Sequence, residues 1–351
     1  MINDKIFKQE GAEGSTNLQG QVVTIYNGLS YSDVKDIALD VFKSNFILLK
    51  QEAAEIAIQR AEEITDDLLK KLNEKSPQSL DEFRQPSMQD ALFTAQKEYA
   101  KSGDKDLSDL LVDILVDRAS TSKRNMLQIV LDEALRIAPK LTLEQLDTLT
   151  LNFLTTQTRR LTIARLSDFN NYINTFIAPF IEGLVEDYEQ LKYIEYLGLG
   201  SIRAGDWGQL ENNWRETYKA MFSKGFTKED FEIRIGQIND YAAFLIPCFH
   251  NQNYLQFNSM DVETLNERLN EKNINEDLRN KIRELYDSTT MTGQEIKDYL
   301  KLVNPLTEKL FKVWEEVSFK KLEITSVGIA IAHANYRRKT GQTMDLSIWI
   351  K

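Results

Sequence analysis

The chain has 351 residues, 42% of them apolar and 28% charged, and a net charge of -11. That composition belongs to a folded chain with room for two or three cores or one extended helical body, and it excludes wholesale disorder. The acidic balance disfavours a broad nucleic-acid surface, which needs Lys and Arg to displace counterions from phosphates, and the single cysteine, Cys248, excludes an intrachain disulfide and a multi-cysteine zinc site.

One cysteine also suits a reducing cytoplasm, the expected location. The opening MINDKIFKQEGAEG is polar and lacks the apolar stretch of a secretion signal. No run approaches the roughly 18 uncharged apolar residues of a membrane-spanning helix. Residues 17–26 (NLQGQVVTIY) read as a strand, with Asn17, Gln19, Gln21, Val23 and Ile25 on one face. Asn27-Gly28 signals a turn, and Ser30 with Asp33 a helix cap. From Val34 to Leu72 apolar residues recur every three or four positions with no Pro or Gly between, which predicts a helix over 33–73, about 60 Å long, that spans two lobes, breaks midway or packs on another chain. Ser76-Pro77 ends it.

Ser79 with Glu82 has the form of a capping box, and Pro86 opens the next helix. Helices are predicted over 87–101, 105–120 and 123–137. A Thr142–Gln145 capping box starts one that runs to 156. Another covers 168–186, interrupted at Pro179, and a short one covers 188–197. Between 201 and 320 caps stand at Thr227, Asp261, Asn275, Thr292 and Asn304-Pro305. Residues 319–324 suggest a short strand, 325–338 a helix, and 345–350 (DLSIWI) a final alternating strand. The domain reading is a strand segment at 1–28, a long helix at 29–76, a helical core at 77–200, a helical insertion at 201–320, and a strand-helix-strand at 321–351 that closes the core.

The stretch PSMQDALFTAQKEYAKSGDKDLSDLLVDILVDRAS, followed by LTLEQLDTL, YIEYLGLGSI and, near the C-terminus, LEITSVGIAIAHANYRR, resembles the helical core of the bacterial Abi-alpha (abortive-infection alpha) proteins. The opening segment is similar to the N-termini of uncharacterised defence-associated bacterial proteins. The matching segments cover under half the chain and consist of helix starts and Leu positions. The resemblance implies a mainly α, multi-helical protein linked to defence against phage, and it brings no catalytic residues with it. The same segments suggest a winged-helix-like module split by the insertion. Its third helix, Asp187 to Tyr196, is acidic and reads as a packing element, not a DNA reader.

Candidate chemistry is sparse. Cys248 and His250 could be a nucleophile and base, but the run FLIPCFH favours an inert core cysteine. His333 reads as a surface or satisfied buried histidine. Gly198, Gly200 and Gly205 lack the strand, third glycine and helix of a dinucleotide fingerprint. Acid pairs at Asp104/Asp106, Asp230/Glu232 and Glu315/Glu316 read as solvated helix faces. Trp207, Trp214 and Tyr218 form either an aromatic platform or, preferably, a core stripe. Basic clusters occur at Arg159, Arg160 and Arg165 with Lys123 and Arg124, and at Arg337, Arg338 and Lys339. The latter trio is the candidate contact for an anion or partner. Asn17, Gln19, Gln21, Val23 and Ile25 are the candidates for an oligomer or partner contact, because a lone strand needs an edge to pair with. No cofactor or metal is expected. The leading expectation is a non-enzymatic interaction component of an abortive-infection-like system, a homo-oligomer or partner-bound, with no membrane span. The alternative is an effector enzyme, a nuclease or nucleotide hydrolase, with an unrecognised site.

Overall fold

The computed structural model describes residues 28–46, 51–121, 123–272, 274–316 and 319–351. The predicted strand with Asn17, Gln19, Gln21, Val23 and Ile25 lies outside the described residues. Among those described, the protein is mainly α, with fifteen α-helices and two two-stranded ribbons. No described helix is long and apolar enough to cross a membrane.

Helix α1 (Tyr31–Asn45) opens with a full capping box. Ser30 Oγ accepts from the Asp33 N–H at 3.3 Å, and the Asp33 carboxylate accepts from the Ser30 N–H at 2.9 Å. Of the outcomes open to the long helix, the structure shows the midway break. α1 stops at Phe46, whose backbone is extended, and α2 covers Gln51–Lys75. The two lie side by side: Tyr31 Oη donates to Asp66, Lys35 reaches Glu62 and Asp66, and Phe42 shares a buried cluster with Ala57 and Ala61. A straight rod would leave the Val34–Ala38–Phe42 stripe in water. Packing α1 against α2 buries it, at roughly 25 cal/mol per Å² of apolar surface.

The Ser79–Glu82 capping box does not form. Ser79 sits inside a 3-10 stretch, Pro77–Arg84, with its hydroxyl 2.8 Å from Ser76 Oγ. Helix α3 (Pro86–Ser102) starts on its proline and ends at Gly103, whose φ of 65° suits the left-handed stop. Next come α4 (Lys105–Ala119), α5 (Met126–Ile137) and α6 (Leu143–Thr156), capped by Asp104, Asn125 and the Thr142–Gln145 box. Helix α7 (Leu166–Tyr172) widens into a π turn at Ile173–Ile177 and tightens into a 3-10 turn at Ala178–Phe180. Pro179 lacks the N–H that would continue the α-ladder.

After α8 (Tyr188–Tyr196) the chain forms β1 (Gly200–Ile202), α9 (Leu210–Thr217), α10 (Lys228–Arg234) and a hairpin of β2 (Leu245–Pro247) with β3 (Leu255–Phe257). Then follow α11 (Val262–Glu271), α12 (Glu276–Ser288), α13 (Gly293–Val303), α14 (Thr307–Glu316), β4 (Leu322–Ile324) and α15 (Ser326–Thr340). β4 pairs antiparallel with β1, Gly200 opposite Ile324 and Ile202 opposite Leu322. The segment between them therefore leaves and returns at one place. A satellite core around Phe226, Phe231, Phe257, Leu285 and Tyr286 lies within that segment. Residues 345–350 do not form the expected strand. Leu346–Ile348 is a 3-10 turn, and Leu346 and Ile350, four apart, are the buried pair, which is helical rather than alternating spacing. Trp349 stacks edge-on against Phe153 at 4.9 Å.

The main core surrounds α15, which packs against α4, α5 and α6. Gly328, Ala330, Ala332 and Ala334 let neighbouring backbones come close, and every residue from Gly328 to Arg337 is buried. A Cβ at Gly328 would overlap the Leu199 carbonyl oxygen, a backbone atom that cannot swing aside. Gly328→Ala is therefore expected to lose roughly 1–3 kcal/mol in urea unfolding, as overpacking does. A wild-type midpoint would show that the link between α8 and β1 yields freely.

Candidate functional site

Of the basic trio of α15, Arg337 is buried, Arg338 half-buried and Lys339 exposed, and each is paired with a carboxylate. Arg337 is buried, with its guanidinium on the Asp117 carboxylate (Nη1 to Oδ1, 2.9 Å), 3.6 Å from Asp113 Oδ1 and bonded to the Asp113 carbonyl. Asp113 and Asp117 are four apart, on one face of α4. Lys71 of α2 completes the set at 3.1 Å from Asp113. Arg338 pairs with Asp106 and donates to Asn335 at 2.9 Å. Lys339 reaches Asp147 at 2.7 Å and the Pro179 carbonyl at 3.1 Å. These cations are paired with carboxylates of α4 and α6, so they act first as ties between helices. For Asp113 and Asp147 the physical reason is burial, since a carboxylate that deep has to be paired, whereas the Arg338–Asp106 pair lies at the surface.

His333 belongs to the same network. Its Nε2 meets the Met344 backbone, N–H at 3.1 Å, and its Nδ1 faces Asp117 at 3.5 Å. Burial opposes ionisation of Asp117, but His333 and Arg337 outweigh it and hold that carboxyl below its usual range. At Asp147 burial prevails over Lys339 and Asn335, and the carboxyl titrates higher than usual. Two acids one helix apart are thus driven in opposite directions by how well they are paired.

The other sequence candidates are also built into the framework. Cys248 is buried, with its Sγ on the Ser223 carbonyl. His250 Nε2 lies 2.7 Å from the Met221 carbonyl, and its ring stands edge-on to Tyr299. Trp214 and Tyr218 are core residues, and Trp207 donates to the Leu322 carbonyl at 3.2 Å, so the three form no open platform. Gly198 and Gly200 form the turn into β1. Asp104 caps α4, Asp230 belongs to the Thr227 cap, and Glu315 pairs with Lys297. Arg159 pairs with Asp261. Among the described residues, no three His, Cys, Asp or Glu side chains converge to hold a metal ion.

The surface stands out at α8, YEQLKYIEY. Only Leu191 and Ile194 are buried, a stripe narrow enough to seat the helix and no more. Outward lie Tyr188 (43% exposed), Tyr193 (39%) and Tyr196 (82%). Tyr193 and Tyr196 stack on each other at 6.1 Å, and Lys192 lies over Tyr188 while paired to Glu189. The base of α8 is fixed. Asp187 caps it, Glu195 accepts from the Ile202 N–H at 2.8 Å, and Thr325 bonds to the Gly198 and Leu199 carbonyls. Such a face is rigid, aromatic and amphipathic, qualities common in contact surfaces. The sequence read α8 as a packing element. The missed signal was that tyrosines outnumber aliphatic residues in it.

A protein-family model whose description reads only “:-like” matches residues 28–350. The chain belongs to that family. The family region takes in α8, both ribbons and α15, includes the whole of 201–320, and begins beyond the Asn17–Ile25 stretch. No curated protein and no solved structure matches the chain.

Proposed function

We propose that this protein is a non-enzymatic interaction component of a bacterial anti-phage, abortive-infection-like system, acting in the cytoplasm through a partner protein or a second copy of itself. The observation that carries the reading is the solvent-facing tyrosine row of α8, held on a base tied to β1 and the start of α15. Tyrosines supply large contact area at low entropic cost and dominate binding hot spots. The Leu-rich helix starts of 86–200 and the LEITSVGIAIAHANYRR helix, which resemble Abi-alpha proteins, give the defence context.

Tyr193→Ala with Tyr196→Ala tests it. Both side chains face solvent, so stability should stay within about 0.5 kcal/mol of wild type. Bacteria expressing the protein with its neighbouring genes should resist phage, and the double variant should lose that resistance. Full protection by a folded double variant removes α8 from the function. No protection by the wild type in any host tried removes the defence reading itself.

A further inference from the structure

A cleft of about 340 Å³ opens where the loop after α6, the end of α7 and the end of α15 meet, within the size range of small-molecule sites. Arg160 stands on its wall. The Arg160 guanidinium carbon lies over the buried Phe176 ring, 3.8 Å from its centre. Its backbone is anchored by the N–H, which donates to Tyr218 Oη at 2.8 Å. Neighbouring Arg159 is neutralised by Asp261, whereas Arg160 has no carboxylate partner among the described residues. In a chain of net charge -11, an arginine held in place by an aromatic ring with its hydrogen-bonding edge uncommitted is preorganised for an oxyanion.

Two tyrosines supply the second observation. Tyr172 and Tyr336 line the same cleft, are 4% and 3% exposed, and their hydroxyls make no hydrogen bond among the described residues. Neither hydroxyl is among the buried polar atoms left without a partner, so both still reach solvent and are open to an acceptor that enters the cleft. Burial first, and then the Tyr218 and Tyr336 hydroxyls, push Tyr172 well above the usual phenol range, so it stays protonated and able to donate. Leu154 and Met344 give the cleft an apolar side.

We propose that this cleft binds a small organic anion, its oxyanion held by Arg160 and the Tyr172 and Tyr336 hydroxyls and its apolar body lying against Leu154 and Met344. The cleft and the α8 tyrosines share no residue, so this site stands apart from the partner surface. A carboxylate and a phosphate monoester present the same chemistry to these groups.

Calorimetric titration of the full chain with phenyl phosphate, phenylacetate, inorganic phosphate and neutral benzyl alcohol separates the cases. At least one of the two aromatic anions should bind saturably, more tightly than inorganic phosphate, while benzyl alcohol should not bind. The preferred one assigns the ligand as phosphate monoester or carboxylate. Arg160→Met should weaken that binding about tenfold or more, the loss of a charge-assisted hydrogen bond. Tyr336→Phe should weaken it too. That variant keeps the ring against Phe176 and Phe180 and breaks no hydrogen bond, so folding is retained. Absence of saturable binding by either aromatic anion overturns the assignment. So does equal binding of benzyl alcohol or inorganic phosphate, or wild-type affinity in a folded Tyr336→Phe.

Discussion

Replacing Arg337 by alanine is expected to remove about 3–5 kcal/mol of folding stability, the range for deleting one partner of a buried ion pair. Arg337 and Asp113 are almost wholly enclosed, and Asp117 is only partly reached by water. Without the guanidinium, among the described residues Asp117 keeps only His333 and Asp113 only Lys71, while the cost of burying both acids stays. The pH dependence follows. Asp117 has a folded pKa below its unfolded value, so its contribution is present above the unfolded value and is lost as pH falls through the folded one. Removing Arg337 lifts the folded pKa, so acid unfolding of the variant should begin at a higher pH than in wild type. Urea melts at neutral pH and at several acidic pH values read both effects. Lysine at 337 should recover only part of the loss, because one ammonium cannot hold Asp117 and reach Asp113 as a planar fork does. A loss under about 1 kcal/mol for Arg337→Ala would mean that the network adds nothing to the fold.

The second large effect is expected at Trp314. Its side chain is among the largest that are fully buried, its Nε1 donates to the Gly208 carbonyl at 2.8 Å, and its ring meets Phe319 edge-on at 5.5 Å. It thereby joins α14 to the loop before α9 and to the turn that leads into β4. Trp314→Ala should cost about 3–5 kcal/mol, the lost transfer energy plus the cavity left behind. Trp314→Phe should cost distinctly less, since it keeps the ring contact and gives up the hydrogen bond. The damage should also have a direction. In hydrogen exchange on Trp314→Phe, the amides of Arg203 and Trp207, which donate to the Lys321 and Lys320 carbonyls, should lose protection before those of α3 and α4. Uniform loss across the chain would show that Trp314 supports the whole core and not this junction.

Most signals whose physics is local carried into the structure, the Ser79–Glu82 box being the exception. Ser30 with Asp33 and Thr142 with Gln145 form boxes, and the expected cap at Thr292 forms one with Glu295, because a cap needs only its own first turn. Gly103 stops α3 and Pro179 breaks the helix after α7 for the same kind of reason. Signals that depend on what lies opposite did not carry. The apolar stripe from Val34 to Leu72 is continuous in sequence, yet α1 ends at Phe46 with no Gly or Pro to mark the place. DLSIWI alternates, yet no described strand pairs with it, so its apolar residues dock at helical spacing.

Candidate sites divide the same way. Arg337, Arg338 and Lys339 read as a basic patch because their number is visible in sequence and their partners are not. Those partners, Asp117, Asp106 and Asp147, lie on helices nearly two hundred or more residues away along the chain. Arg159 and Arg160 are adjacent and alike in sequence, but one faces Asp261 and the other lies on Phe176.

By itself, then, the sequence determined the helical class, most helix starts and stops, and the absence of an apolar run fit to span a membrane, since composition, periodicity and capping act over a few residues. Only the tertiary structure decided where the first long stripe breaks, that β1 and β4 meet across the segment between them, and which charges are spent inside and which are left open. Those outcomes depend on burial and pairing between residues far apart in the chain, and charge becomes costly or useful only once water has been removed from around it.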